Sequence, residues 1–189
     1  MKKIPIALSN RHLHLSQEHL EILFGKGYEL NKIKDLKQPG QYAAAEKVDL
    51  VGPKGTIKGV RVLGPTRSKT QIEISFADSF TLGVNPPVRD SGDITGSPGV
   101  KVVGPEGEVE IDEGVIAAAR HIHMTPEEAE ALDLKDKDTV KVKTGGERSV
   151  VFENVLVRVN PNYALEMHVD MEEGNGAGVE NNQMVEIIK

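Results

Sequence analysis

Early in the chain stands Arg11-His12-Leu13-His14-Leu15, and the same pattern returns as Arg120-His121-Ile122-His123-Met124. The interval is constant: 120 − 11, 121 − 12 and 123 − 14 are all 109. It persists beyond the histidines, pairing Ser16 with Thr125, Glu18 with Glu127 and Leu23 with Leu132. Four of the six histidines fall in the two copies. A chain that writes one structural segment twice is expected to build one unit twice, so the fold must accommodate two related halves.

In an extended segment, residues i and i+2 point the same way. His12 and His14 therefore share a face, with Leu13 and Leu15 on the other, and two imidazoles on one face can chelate a metal. Each copy runs into a helix start. Thr125-Pro126-Glu127-Glu128 has a capping Thr, Pro at the first helical position and Glu at the third. Ser16-Gln17-Glu18-His19 is a weaker version. A strand end just before a helix is a rigid place for a metal site. One His-x-His is weak evidence, since exposed histidines often stand near strand ends. Duplication with the flanking Arg and the cap strengthens the metal reading, although a duplicated folding device would look the same.

Composition removes several classes of function. The net charge is −6, from 29 acidic against 23 basic residues, which disfavours non-specific nucleic-acid binding and offers no basic membrane surface. No cysteine is present, so disulfides, a thiolate nucleophile and Cys-ligated zinc are excluded, and a metal must use His, Asp or Glu. There is no Trp to stack single-stranded nucleic acid. No apolar run reaches membrane-spanning length, and the start is too short and too soon polar for a signal peptide. A soluble intracellular protein is expected.

The strand pattern points to the fold class. Ile4 to Leu8, residues 47–51, 56–63, 71–76, 100–103, 108–111, 139–143, 149–159, 164–169 and 184–188 read as strands. Gly52-Pro53-Lys54-Gly55 and Gly104-Pro105-Glu106-Gly107 are repeated turn signals. Residues 16–24 and the segment after Thr125 read as short helices; residues 85–99 and Gly174 to Gly178 read as loops. Many short strands at regular spacing, with few helices, predict a mainly-β protein made of two pseudo-symmetric small β-barrels capped by short helices.

The repeat also indicates where further ligands would lie. After Gly64-Pro65 a strand carries Glu73; after Asn160-Pro161 a strand carries His168, each flanked by apolar residues. For Glu73 alone, an outward position on a half-exposed strand is the commoner fate; for His168 the two readings balance. Arg67, just before the Glu73 strand, suits a phosphate or carboxylate, although an exposed loop Arg is more common. Arg11 and Arg120 are read as substrate clamps or supports of the histidines. Arg89-Asp90-Ser91-Gly92-Asp93 is read as either an anion-binding nest or an ordinary turn, and His19 as a surface helix residue.

These segments together resemble the phosphate propanoyltransferase family, the phosphotransacylases of propanediol utilisation. The resemblance is carried by Ser9 to Leu15, Pro65-Thr66-Arg67-Ser68, Pro87 to Asp93, Arg120 to Met124 and the strand with His168. It implies two β-barrels with the first strand exchanged, residues 1–10 plus 119–189 and residues 11–118. It implies an active site between them with two zinc ions per chain, one held by His12, His14 and Glu73, the other by His121, His123 and His168. Other divalent metals could substitute. Arg67 matches the family's phosphate-binding arginine. The implied reaction is acyl-CoA (propanoyl-CoA or acetyl-CoA) plus phosphate giving acyl phosphate plus CoA, in a homodimer. Microcompartment members carry a targeting extension that is not seen ahead of the first strand here, so a cytoplasmic member is expected.

With neither Cys nor a Gly-x-Ser-x-Gly elbow, direct attack of phosphate on the thioester is simpler than a covalent acyl-enzyme. Two alternatives are a dinuclear metal hydrolase, either thioesterase or phosphatase, and a non-catalytic protein using its histidines for structural metal.

Overall fold

The structure is a computed structural model that describes residues 2–188. Positions 1 and 189, the outer limits of the expected domains, lie outside the described residues. The first half contains β1 (Lys2–Ser9), β2 (His12–His14), α1 (Gln17–Phe24), β3 (Lys32–Asp35), β4 (Tyr42–Val51), β5 (Thr56–Gly64), β6 (Gln71–Glu73) and α2 (Phe76–Leu82). It continues through β7 (Val88–Arg89), β8 (Val100–Val103), β9 (Glu108–Ile111) and β10 (Val115–Ala118). The second half contains β11 (His121–Met124), α3 (Pro126–Leu132), β12 (Thr139–Lys143), β13 (Val151–Val159), β14 (Glu166–Asp170), α4 (Met171–Ala177) and β15 (Met184–Ile188).

The chain forms two compact units, Met1–Asn10 with Ala119–Lys189, and Arg11–Ala118. In the first, six strands close into a barrel in the order β1-β14-β11-β13-β12-β15. In the second, the strands form a curled sheet in the order β7-β10-β6-β2-β5-β4-β8-β9, with β3 on β4. The mainly-β fold with short helices is therefore what the chain adopts, with one barrel closed and the other sheet open at β7 and β9.

The repeat explains why β1 and β10 each leave the strand that follows them in sequence. Ile6 and Ala7 pair in parallel with Met167 and His168 on β14; Val115 and Ile116, 109 residues later, pair in parallel with Ile72 and Glu73 on β6. Each unit thus takes its first strand from the other copy. Each also has its own core. Ile4, Ile6, Ile122, Met124, Val157 and Met167 belong to one; Leu13, Leu15, Leu50, Val62 and Ile72 belong to the other. The apolar residues alternating with the histidines, Leu13, Leu15, Ile122 and Met124, are all fully buried.

Helix starts follow local chemistry. Thr125 and Glu128 form the expected reciprocal cap, whereas Ser16 accepts from the His19 backbone alone. Two helices escape the alternation pattern. The strand expected over 71–76 stops at Glu73, because Ser75 and Asp78 form a capping box that starts α2. The loop expected at Gly174 to Gly178 is instead largely helix, capped by Asp170 with Glu173. At Gly174 a Cβ would stand 2.3 Å from Leu8 Cδ2, so a larger residue there would have to displace that side chain. The two Gly-Pro-x-Gly turns serve as helix stops: the Lys54 N–H donates to Leu82 O at the end of α2, and the Glu106 N–H to Leu23 O near the end of α1. At Gly52 an added Cβ would lie 2.2 Å from Leu82 O.

Core packing gives a direct stability test. Ile122→Ala empties a fully buried position and is expected to cost ~2–5 kcal/mol in urea unfolding. Ile33→Ala, at a residue 58% exposed, is expected to change stability by less than about 0.5 kcal/mol.

Candidate functional site

The duplicated histidines sit on short strands held along both sides. β2 pairs in parallel with β5 and antiparallel with β6; β11 pairs in parallel with β13 and antiparallel with β14. Backbone bonded on both edges cannot slip, and a one-residue slip would turn both imidazoles to the opposite face. The cross-strand register then fixes what each histidine faces. His12 is opposite Glu73 and His14 opposite Gln71. His121 is opposite His168 and His123 opposite Glu166. Glu73 and His168 thus occupy the same rung in their two units, although their distances from Pro65 and Pro161 differ by one residue. Direct cross-strand neighbours on one face are in side-chain contact range.

In the unit Arg11–Ala118, His12 Nε2 lies 3.6 Å from Glu73 Oε2, and the His12 and His14 ring centroids are 5.9 Å apart. The other Glu73 oxygen, Oε1, accepts from Ser91 Oγ at 2.8 Å and Gln71 Nε2 at 2.7 Å. Gln71 Nε2 also donates to Ser91 Oγ, and the Gly92 N–H donates to Gln71 Oε1. Arg67 Nη1 reaches Ser91 Oγ at 3.4 Å, and the Arg67 N–H donates to Leu15 O. The structure thus brings His12, His14, Glu73 and Arg67 into one cluster. The 89–93 segment ties to it through Ser91 and Gly92.

In the other unit, the His121, His123 and His168 rings are mutual neighbours. Their centroids are separated by 4.6 Å (His121 to His123), 5.1 Å (His121 to His168) and 5.0 Å (His123 to His168). Tyr163 stands 4.3 Å from the His123 ring, and Arg158 is opposite His123 on β13.

Among the described residues, no group of three or more His, Asp or Glu side chains is arranged as it stands to hold a metal ion. The donor chemistry nevertheless suits a divalent cation in each unit. His14 Nδ1 lies 3.2 Å from Pro65 O and His121 Nδ1 lies 2.8 Å from Ala119 O. A carbonyl only accepts, so each Nδ1 carries the proton, and in the neutral ring the lone pair lies on Nε2, the nitrogen that could ligate a metal. His123 Nδ1 and His168 Nε2 are buried without a hydrogen-bond partner, an arrangement that normally needs a further explanation such as an ion. Burial, with Arg67 and then His12 nearby, holds the His14 pKa down to about 3. Burial, with His121, His168 and Arg158, holds that of His123 down to about 2. Both rings are neutral at pH 7, the form that ligates metal.

The flanking arginines have a structural attachment. Arg11 forms a bidentate pair with Asp78, Nη2 to Oδ1 and Nε to Oδ2, both 2.9 Å. Arg120 Nε pairs with Glu173 Oε1 at 2.8 Å. Asp78 and Glu173 are the third residues of the α2 and α4 capping boxes, so each guanidinium ties a His-x-His strand to a helix start. His19, expected at the surface, is half-buried, with Nδ1 2.8 Å from Thr70 Oγ1. Sequence reasoning missed Gln71, Arg158 and Glu166; the signal for Gln71 and Glu166 was their i−2 spacing from Glu73 and His168.

Comparison with known proteins gives the family. The family model described as phosphate propanoyltransferase matches residues 5–180. A phosphate propanoyltransferase of Thermotoga maritima is 55% identical over 187 residues, 98% of this chain and 89% of that protein. One from Rhodobacter capsulatus is 53% identical over 186 residues, covering 98% and 86%. One from Clostridioides difficile is 47% identical over 186 residues, covering 98% and 89%. The chain is an enzyme of the phosphate acyltransferase class. It belongs to the phosphate propanoyltransferase family. Among the described residues, no helix is long and apolar enough to cross a membrane.

The lowered histidine pKa values predict a pH dependence for chelator-treated protein. The unfolded rings take up protons below about 6.5 while folded His14 and His123 stay neutral until about 3 and about 2. Stability is therefore full above pH 6.5 and falls as pH drops toward those values, by up to about 2 kcal/mol per ring between pH 7 and 5. Urea unfolding of the wild type and of a His14→Gln/His123→Gln variant checks this. The variant is expected to lose less stability over that interval, and parallel curves would contradict it.

Proposed function

We propose that the chain interconverts propanoyl-CoA or acetyl-CoA and phosphate with acyl phosphate and CoA by direct phosphate attack at a dinuclear zinc site. His12, His14 and Glu73 hold one ion, and His121, His123 and His168 the other. The observation that supports this best is the matching register: the same rung of each unit carries a third ligand-type residue, Glu73 or His168, opposite the first histidine of the pair. Zinc suits imidazole-rich donors and a soft sulfur leaving group, and other divalent ions could occupy the same donors. A homodimer and a cytoplasmic location complete the proposal on family resemblance alone.

Bound zinc would supply Lewis-acid polarisation of the thioester carbonyl and charge stabilisation for the departing thiolate. The protein does the positioning. Arg67 presents a fixed positive fork to phosphate, oriented by its backbone bond to Leu15 O and by Ser91. A phosphate oxygen forms the new bond to the carbonyl carbon, the carbon–sulfur bond breaks, and CoA leaves as thiolate. Carbonyl acceptors fix the His14 and His121 tautomers, so neither ring need turn during the reaction.

CoA release from propanoyl-CoA and acetyl-CoA, with and without phosphate on metal-analysed protein, tests this. Strictly phosphate-dependent release, acyl phosphate formation and about two metals per chain are expected. Phosphate-independent release would move the assignment to a metal hydrolase, and no release from metallated protein to a structural metal. Arg67→Ala is expected to raise the barrier by ~3 kcal/mol, on the order of a hundredfold in kcat/KM. Unaltered turnover would remove Arg67 from the phosphate site.

A further inference from the structure

The two clusters are built on the same pattern of two rungs, but their carboxylates stand on different rungs. In β2–β6 the facing pairs are His12 with Glu73 and His14 with Gln71. In β11–β14 they are His121 with His168 and His123 with Glu166. Each quartet holds a single carboxylate. In the first it is on the rung of the leading histidine; in the second it is one rung over, at the position where the first quartet has glutamine. We propose that Glu166 is the carboxylate of the second cluster, and that cation binding by His121, His123 and His168 depends on its charge as binding by His12 and His14 depends on Glu73.

Three observations carry this. Glu166 and His168 are i and i+2 on one strand and share a face. Glu166 is only 5% exposed, and a carboxylate shielded from water attracts a cation more strongly than an exposed one. Glu166 Oε2 lies 3.1 Å from His168 Nε2, yet that nitrogen has no hydrogen bond, and neither does His123 Nδ1. The carboxylate and the ring nitrogen are thus close enough to face one cation. Charge supports the same assignment. Three neutral imidazoles leave the full double charge of a divalent cation in a half-buried place, whereas Glu166 reduces it to the same net charge that Glu73 gives the first cluster.

This inference rests on the metal reading above, and the test separates the two. Glu166→Gln keeps the shape, removes the charge and makes the position match Gln71. Zn2+ is titrated into wild-type and variant protein against a chromophoric chelator. Wild type is expected to bind two equivalents tightly, and Glu166→Gln to hold one as before and the other 10–100-fold more weakly. Thermal unfolding with and without Zn2+ is the second measurement, and the stabilisation that Zn2+ adds to the wild type is expected to be smaller in the variant. Two tight equivalents in both proteins would overturn the role of Glu166 and leave the dinuclear site standing. A variant destabilised equally with and without Zn2+ would assign Glu166 to folding instead. A wild type that binds no Zn2+ would overturn both.

Discussion

Everything at the candidate site depends on a short central strand whose two edges are both bonded. β2 has three residues and β11 four, too few to persist alone. Held between a parallel and an antiparallel neighbour, each is fixed in register, and register decides which side chains face the site. The same alternation that turns two imidazoles one way turns Leu13, Leu15, Ile122 and Met124 into the two cores. Core packing and ligand presentation are thus two faces of one constraint. A slip that exposed a histidine would expose a core leucine too.

The helices add a second level of fixation. α2 and α4 start directly after the strands that carry Glu73 and His168, and each begins with a capping box. The third residue of each box also pairs with the arginine preceding the histidines. One carboxylate therefore closes a helix terminus and anchors the strand on the opposite side of the rung. Sharing a carboxylate in this way joins strand, turn and helix around each cluster, the rigidity that a precisely placed metal or phosphate group requires. Gln71, Ser91 and Gly92 perform a comparable task for Glu73 by occupying one of its oxygens and tying in Arg67.

Much of this was legible because it is local. The His-x-His faces, the Thr125 cap and the Gly-Pro-x-Gly turns follow from strand period, hydrogen-bond stereochemistry and backbone sterics within a few residues. The misreadings have physical causes too. Alternation carried the strand at 71–73 on to Phe76, because capping by Ser75 and Asp78 overrides hydrophobic period. Glycines at 174 and 176 read as a loop, because the Leu8 side chain that packs against Gly174 comes from a distant strand. His19 read as a surface helix residue, and its contact with Thr70 was not legible because Thr70 lies 51 residues away.

By itself the sequence determined the duplication, the mainly-β class, the pair of imidazoles in each copy and the exclusion of thiol chemistry, all consequences of residue identity and short-range geometry. Tertiary structure decided the exchange of β1 and β10 between the copies, the rung on which Glu73 and His168 meet the histidines, and the placement of Gln71, Ser91 and Glu166 beside them. Those depend on pairing between strands far apart in the chain. Each side chain's partners there are set by long-range register, which no local pattern encodes.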